Sequence, residues 1–386
     1  MRKTYFFKLY HNKRNKELLL CINIASSLYN HCIALHRRYF KLYGKYLNKF
    51  QLQKHLTKLK KRQQYKHWKN VPSQAIQDIT DRIDKAYQHF FKNAKKGKVK
   101  PPTFRKKCKY KSITLKQAGY QLLDGNKIKI GKKIFKFFKS REIEGEIKTL
   151  TIKRDALGDI YIFFSCDIKN DNPNRIMTGN SAGFDFGLKT FLTISNGTKI
   201  ESPLFFKKGS KNIRRANKKL STKKCKSNNR KKAKLHLARQ HKNIANQRRD
   251  YQFKLARKLT QEYDSLFFED LSIKGMQQLW GKKISDLGFS NFLLLVKYYG
   301  TLNGAQIHII DKFFPSSKLC HVCQNKFEAL SLRDRFWQCT CCNTLHDRDI
   351  NAAINIKIVG ASTIGLGNVR PVSTGNCCLN PESNDL

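Results

Sequence analysis

The sequence predicts an α+β protein with more than one domain, and three observations carry this prediction. The chain has 386 residues, which exceeds the usual size of one domain. Residues 15–100 show apolar positions at helical spacing, and residues 112–168 change to short alternating strands bounded by Gly and Asp. Strand and helix patterns alternate again after residue 180. We therefore expect a helical unit inserted in a small β-domain, followed by a second α+β domain.

The first 170 residues supply the elements of the first domain. Residues 4–9 predict an opening strand, and Leu18 to Tyr29 have helical spacing. Ser73 after Pro72 is a candidate N-cap for a clearer helix. Short strands are then predicted at residues 128–137, 148–153 and 159–166.

The second half opens with a hairpin and continues with a very basic stretch. Residues 182–194 predict a strand, Ser195-Asn196-Gly197 a turn, and residues 199–200 the returning strand. Residues 207–249 contain 18 Lys and Arg and no Asp or Glu. A like-charged run is often a solvated tail. Because apolar residues continue through this one, we predict an ordered basic helix over residues 207–260 that binds nucleic acid.

The charge of the chain indicates the class of its partner. Lys and Arg number 78 against 27 Asp and Glu, a net charge of +51. Nucleic acid is the natural counter-charge, because phosphate contacts also release counterions. A ribosomal protein has the same excess, so the charge specifies no activity. Neither a signal peptide nor a lipidation motif is visible, and we expect a cytoplasmic protein of the bacterial cytosol without a membrane partner.

Two cysteine pairs predict a metal site. Cys320 and Cys323 form one C-x-x-C pair, Cys339 and Cys342 form the other, and 15 residues (324–338) lie between them. Two such turns can close a tetrahedral four-thiolate site, so we expect one structural Zn²⁺ ion. Cys341 is an alternative ligand, but Cys339 with Cys342 preserves the two-residue gap.

Three acidic residues occupy unusual positions. Asp185 lies in the apolar segment Gly183-Phe184-Asp185-Phe186-Gly187, Glu269 ends the apolar run 266–268, and Asp349 lies at the start of a predicted helix. A carboxylate among apolar residues is costly unless a cation compensates it. Three such groups can hold two Mg²⁺ ions for phosphodiester hydrolysis. The alternative is that these acids are turn caps or dipole partners, because their separations of 84 (269−185) and 80 (349−269) residues prove no site.

These segments resemble the TnpB proteins encoded by bacterial insertion sequences. Residues 183–189 (GFDFGLK) are similar to their first RuvC motif, residues 268–276 (FEDLSIKGM) to the second, and residues 346–353 (HDRDINAA) to the third. Residues 314–318 (FPSSK) resemble the lead-in to the family's zinc ribbon, and the order of all four segments agrees. Gln324 and Asn343 depart from the family, which often has Gly after each cysteine pair, and both positions could need a positive φ.

The resemblance implies a β-barrel wedge domain with an inserted helical recognition domain, followed by a RuvC-like domain of the RNase H fold with an inserted zinc ribbon. Asp185, Glu269 and Asp349 would be the catalytic triad and would bind two Mg²⁺ or Mn²⁺ ions. Asp347 is a neighbour of uncertain function. The expected boundaries are 1–170 for the wedge with its insert at about 15–100, 180–315 for the first RuvC-like part, 316–345 for the ribbon, 346–360 for the last helix and 361–386 for a flexible tail.

The resemblance also implies an RNA-guided DNA endonuclease. It would bind a guide RNA from its own element and cleave double-stranded target DNA beside a short flanking motif. Two alternatives stay open: a repressor that binds target DNA without cleavage, and a miniature type V CRISPR effector. Six arginines are candidate nucleic-acid contacts: Arg105, Arg214, Arg215, Arg230, Arg248 and Arg249. The sequence gives no oligomeric state.

Overall fold

A computed structural model describes residues 2–94, 97, 99–168, 177–331 and 333–363. The chain divides into two compact units, Met1–Asn170 and Asp171–Leu386. Most of the predicted tail, residues 364–386, lies outside the described residues.

The strands of unit 1 form two antiparallel sheets. One sheet has the order β1-β7-β6-β2 and the other the order β3-β4-β5. A bridge between Leu9 and Phe137 links the chain after β1 to the chain after β5. The strands are β1 (Arg2–Lys8), β2 (Ser112–Leu115), β3 (Tyr120–Leu123), β4 (Lys127–Ile130), β5 (Lys133–Lys136), β6 (Glu146–Arg154) and β7 (Ile160–Asp167).

Three helices are inserted between β1 and β2: α1 (Asn15–Tyr43), α2 (Lys49–Leu59) and α3 (Ser73–Asn93). Gly44 ends α1 in the left-handed conformation, and Asn48 with Gln51 forms a capping box at the start of α2. The expected N-cap of α3 is wrong by one residue. Pro72 occupies that position and Ser73 is the first helical residue, because the fixed φ of proline suits the entry into the helix.

Helix α1 has the length and apolar composition of a membrane span. More than half (56%) of that apolar window is buried inside the structure. Ile22, Ala25 and Leu28 are fully buried in the core of unit 1. The core helix of a soluble protein has the same features, so the composition of α1 alone does not indicate a membrane.

A five-stranded sheet forms the centre of unit 2, in the order β10-β9-β8-β11-β12. Strands β8, β9 and β10 are antiparallel, whereas β11 is parallel to both β8 and β12. The strands are β8 (Ser181–Asp185), β9 (Thr190–Ile194), β10 (Lys199–Glu201), β11 (Ser265–Glu269) and β12 (Gln306–Ile310). The expected single strand over 182–194 is therefore two strands. The chain turns tightly at Gly187, where a Cβ would lie 2.6 Å from the carbonyl oxygen of Thr190.

Helices cover both faces of this sheet. They are α4 (Phe205–Ser221), α5 (Asn228–Glu262), α6 (Ile273–Leu287), α7 (Phe289–Asn303) and α8 (Arg348–Thr363). Phe268 belongs to the core formed with α5 and α7, and Phe267, its neighbour in β11, packs with Ile356 of α8 on the other face. Helix α8 approaches β8 so closely that a Cβ on Gly183 would lie 2.1 Å from the carbonyl oxygen of Ala353.

The basic stretch forms two helices where one was expected over 207–260. Helices α4 and α5 are separated at residues 222–227, and Lys226 has a φ of +64°. Ser227 caps α5 by accepting a hydrogen bond from the backbone N–H of Arg230. Helices α4 and α5 therefore form an antiparallel helical hairpin instead of the single helix that was expected.

Candidate functional site

Two of the three predicted carboxylates end adjacent parallel strands. Phe184 of β8 pairs with Phe268 of β11, so the residues that follow, Asp185 and Glu269, lie side by side at the same edge of the sheet. Side chains alternate along a strand, and both carboxylates therefore lie on the α8 side of the sheet. The position of Asp185 at the end of β8 corrects the expectation that it lies in the middle of a strand.

The third carboxylate reaches the same place from α8. Asp349 lies in the first turn of that helix, and Asp185, Glu269 and Asp349 are all half-buried. Burial and, to a smaller extent, the nearby negative charges of Asp349 and Glu269 together raise the pKa of Asp185 to about 7. Burial, with a smaller effect of Asp270, also raises the pKa of Glu269 to about 7. A cation would relieve the repulsion among these groups.

Arg335 neutralises part of this charge. Its Nη1 donates hydrogen bonds to both carboxylate oxygens of Asp349, at 3.2 and 2.9 Å. No sequence pattern singles out Arg335, which precedes Asp349 by 14 residues and lies in the ribbon segment. A cation that binds Asp349 would compete with this guanidinium.

Asp347 is the N-cap of α8. Its Oδ1 accepts hydrogen bonds from the backbone N–H groups of Asp349 (3.0 Å) and Ile350 (3.1 Å). Lys199 donates to its Oδ2 at 2.6 Å. Burial acts to raise the pKa of Asp347, but these hydrogen bonds from Lys199 and the backbone outweigh it and lower the pKa. Asp347 thus holds the start of the helix on which Asp349 lies.

The four predicted cysteines come together. The Sγ atoms of Cys320, Cys323, Cys339 and Cys342 all lie within 4.8 Å of one another, and Cys341 is not part of the set. Hydrogen bonds from the side chain and the backbone of Thr344 lower the pKa of the Cys342 thiol to about 6. This environment favours a thiolate, the form that binds zinc. The donor set therefore fits a closed structural zinc site.

The turns that carry the thiols have the expected strained backbone. Gln324 and Asn343 have φ values of +63° and +56°, in the left-handed region that favours Gly. The backbone N–H of Gln324 donates to the carbonyl of Cys320, and that of Asn343 donates to the carbonyl of Cys339. Each residue thus closes the turn around its cysteine pair without glycine.

The ribbon also contains two short strands, β13 (Phe336–Gln338) and β14 (Leu345–Asp347). His346 of β14 is buried, and its Nε2 lies 3.0 Å from the Sγ of Cys320. The imidazole packs at 4.7 Å from the ring of Trp337. His346 thus contacts the cysteine cluster and is the residue next to the N-cap of α8.

Two buried asparagines of α8 form hydrogen bonds with the ribbon. Asn351 donates to the carbonyl of Leu319 at 2.7 Å and accepts from the backbone N–H of His321. Asn355, one turn later, donates to the carbonyls of Ser316 and Leu319. Their spacing of four residues within an otherwise apolar helix is the sequence signal that could have identified them.

The six candidate arginines fall into two groups. Arg230 donates to the carbonyls of Leu220 and Lys223 and so stabilises the end of α4, while Arg248 pairs with the buried Asp286 at 3.4 Å. These two have structural roles within the protein. The other four have exposed side chains: Arg105, Arg214, Arg215 and Arg249.

Comparisons with known proteins place these residues in a family. A family model described as "Probable transposase" matches residues 163–279, and a model described as "Cas12f1-like, TNB domain" matches residues 289–356. A Streptomyces pristinaespiralis protein named "Putative RNA-guided DNA endonuclease" is 29% identical over 82% of this chain and 79% of its own length. The "TnpB-like protein L79" of Acanthamoeba polyphaga mimivirus is 26% identical over 55% of this chain and 43% of its own length. These matches support the resemblance of the chain to the TnpB family.

The two segments matched by the family models include the candidate site residues described above. Asp185 and Glu269 lie in the first matched segment, and Asp349 lies in the second with the four cysteines. A solved Cas12f1-sgRNA-target DNA complex is also similar, with 14% identity over 92% of this chain and 99% of that chain and a TM-score of 0.35.

Proposed function

We propose that this protein is an RNA-guided DNA endonuclease with a RuvC-like nuclease site. The observation that carries the proposal is the convergence of Asp185, Glu269 and Asp349 at one edge of the unit 2 sheet. The name of the Streptomyces relative supports the RNA-guided activity.

The topology of unit 2 supports the RNase H-like part of the proposal. Three antiparallel strands are followed by two strands parallel to the first, with the carboxylates at the ends of the first and fourth strands. In unit 1, the linked antiparallel sheets and the inserted helices α1 to α3 support a wedge domain with a recognition insert.

The carboxylates fit two Mg²⁺ or Mn²⁺ ions, because burial, together with the negative charges of Asp349 and Glu269, raises the pKa of Asp185 to about 7 in the absence of a cation. Such ions would supply Lewis acidity and an activated water for hydrolysis of the phosphodiester bond. Asp185 and Glu269 would hold the ions at the sheet edge, where the cations would attract the phosphate. Asp349, fixed by the Asp347 cap, would complete the site. Hydrolysis would leave a 5′-phosphate and a 3′-hydroxyl.

The zinc ion would act structurally. Four thiolates leave no open position for chemistry. Zinc would keep the ribbon folded. The hydrogen bonds of Asn351 and Asn355 to the ribbon backbone would then fix the position of α8 relative to the ribbon.

Guide RNA and double-stranded DNA are the proposed partners, in the bacterial cytosol and on the nucleoid. The exposed basic residues of α4 and α5 would contact phosphates, led by Arg214, Arg215 and Arg249. Specificity would come from base pairing with the guide and from protein contacts with a short flanking motif.

The two alternatives differ from the proposal in testable ways. A repressor on the same fold would bind target DNA without cleavage, and it has no need of three converging acids. A miniature type V effector would share the whole nuclease site. CRISPR repeats and spacers beside its gene would favour the effector, and transposon ends would favour a TnpB nuclease.

The purified complex with its RNA tests the catalytic part. Guide-matched DNA should be cut when Mg²⁺ is added, and Asp349→Asn should abolish cutting while RNA binding is kept. Lys199→Gln is a suitable control, because it removes a contact of Asp347 and leaves the three carboxylates intact. Equal loss of RNA binding and cutting in Asp349→Asn would indicate a structural role for Asp349.

A further inference from the structure

A cavity of about 270 Å³ lies beside Glu269, on the side of the sheet opposite to α8. The buried rings of Phe186 and Phe289 contribute to its wall, with centroids 4.7 Å apart. Its size lies near the lower limit for small-molecule sites, which begin at about 300 Å³. The cavity can therefore hold one compact planar group.

One stripe of α7 forms the open side of this cavity. Ser290, Leu293, Leu294 and Lys297 all line it, and their spacing of three and four residues places them on one face of the helix. Leu294 is 67% exposed although it lies within a regular helix. This apolar stripe is thus left uncovered at the edge of the proposed nuclease site.

We propose that the cavity binds one unstacked nucleobase of the DNA strand being cut, next to the scissile phosphate. This inference rests on the proposed function. Glu269 ends β11 at the sheet edge: its carboxylate lies on the α8 side, and the same residue also lines the cavity. A strand whose phosphate lies at the triad therefore has its neighbouring base within reach around this edge.

The chemistry of the wall favours a neutral base. Asp270 in the wall would repel an anionic head group and can accept hydrogen bonds from the amino groups at base edges. The apolar walls suit the face of a base, as in proteins that bind single strands by stacking. The exposed Lys297 at the rim can pair with the adjoining phosphate.

Leu294→Ser tests the cavity, with Leu279→Ser as the matched control. Leu279 is also an exposed leucine (73%) on a neighbouring helix, and it does not line the cavity. Both substitutions should leave the fold intact, because neither side chain is buried.

The first measurement is the single-turnover cutting rate of the RNA complex on target strands with one abasic site, moved one nucleotide at a time past the scissile bond. We expect one position at which loss of the base slows wild type and Leu279→Ser about tenfold. Leu294→Ser should cut the intact strand about tenfold more slowly and be indifferent to that abasic site. Equal rates at every position, or equal behaviour of the two variants, would overturn the cavity assignment.

The second measurement does not depend on cutting. A short single strand that carries 2-aminopurine is titrated with each protein without Mg²⁺. Fluorescence quenching in wild type and Leu279→Ser, with loss of quenching in Leu294→Ser, is the expected result even for a protein that does not cut. Equal quenching by all three proteins, or quenching by none of them, would overturn the proposed base-binding cavity. Failure of the proposed function would appear differently, as the absence of cutting of the intact strand.

Discussion

At the scale of single residues, Asp185 opposes folding in the metal-free protein. Its pKa is raised to about 7 by burial and by the two neighbouring carboxylates, against about 3.9 in an unfolded chain. The folded protein therefore retains a proton that the unfolded chain releases between these values. Stability consequently falls as pH rises from about 4 to 7.

Asp185→Asn should remove this loss. We expect the Mg²⁺-free variant, with its zinc retained, to have a higher Tm than wild type at about pH 8 and nearly the same Tm at about pH 4. Cutting should fall by about 100-fold or more, because a metal ligand is lost. Thermal unfolding at both pH values is the measurement. A lower Tm of the variant at pH 8 would show that the Asp185 carboxylate stabilises the fold.

Arg335 should compete with Mg²⁺ for Asp349. Arg335→Gln removes the guanidinium that contacts both oxygens of this carboxylate, so we expect Mg²⁺ to bind about fivefold more tightly, by calorimetry on the RNA-free protein. Arg333→Gln, an exposed position two residues earlier, is the control. Weaker Mg²⁺ binding in Arg335→Gln alone would mean that the guanidinium holds Asp349 in the binding position.

The sequence was sufficient to select the three acids and the four cysteines that the structure brings together, but not the contacts of their neighbours. An acid among apolar residues and the cysteine spacing can be seen in the chain itself. The N-cap role of Asp347 and the pairing of Arg335 depend on how the ribbon meets α8, which no local pattern encodes. For the same reason Arg230 and Arg248 were expected to bind nucleic acid, whereas each has partners within the fold.

At the scale of elements, the zinc ribbon and α8 are joined through His346. Its Nε2 lies 3.0 Å from Cys320, and the next residue caps the helix that carries Asp349. A hydrogen bond from a neighbouring group to a metal ligand stabilises both the ligand and its orientation. The geometry of the zinc site is thus coupled to the start of α8.

His346→Phe should weaken zinc binding about tenfold or more, because it keeps the packing on Trp337 and removes the donor to the thiolate. Competition with a chromophoric chelator measures this affinity. His241→Phe, at an exposed position of α5, controls for loss of a histidine elsewhere. Unchanged zinc affinity in His346→Phe would show that the contact with Cys320 is only steric.

The spacing of apolar residues predicted whether a segment is a helix or a strand better than it predicted where the segment begins and ends. The apolar run over residues 182–194 concealed a turn because Phe186 and Leu188 are apolar as well, and the turn depends on a close approach at Gly187. The break between α4 and α5 had a readable signal. Ser221, Thr222 and Ser227-Asn228-Asn229 cluster where a helix can end and another can be capped.

At the scale of the whole molecule, a net charge of +51 implies that RNA affinity depends strongly on salt. The structure separates the exposed Arg214 and Arg215 from Arg230, whose guanidinium donates to backbone carbonyls at the end of α4. The double variant Arg214→Gln/Arg215→Gln should show a weaker salt dependence. We expect the slope of log affinity against log salt to become less steep by about 2, without a change in Tm. Arg230→Gln should leave the slope unchanged and lower the Tm, because it removes the hydrogen bonds at the end of α4. Filter binding over a salt series measures the slopes, and the opposite pattern would contradict this division.

The central claim is that the three carboxylates cut DNA chosen by a guide RNA. The most direct measurement expresses the protein with its flanking genomic sequence and exposes a plasmid library in which a guide-matched target adjoins randomised bases, with Glu269→Ala in parallel. We predict Mg²⁺-dependent cutting beside one short motif by the wild type and none by the variant. Guide-dependent binding without cutting by the wild type, or equal cutting by Glu269→Ala, would contradict the claim.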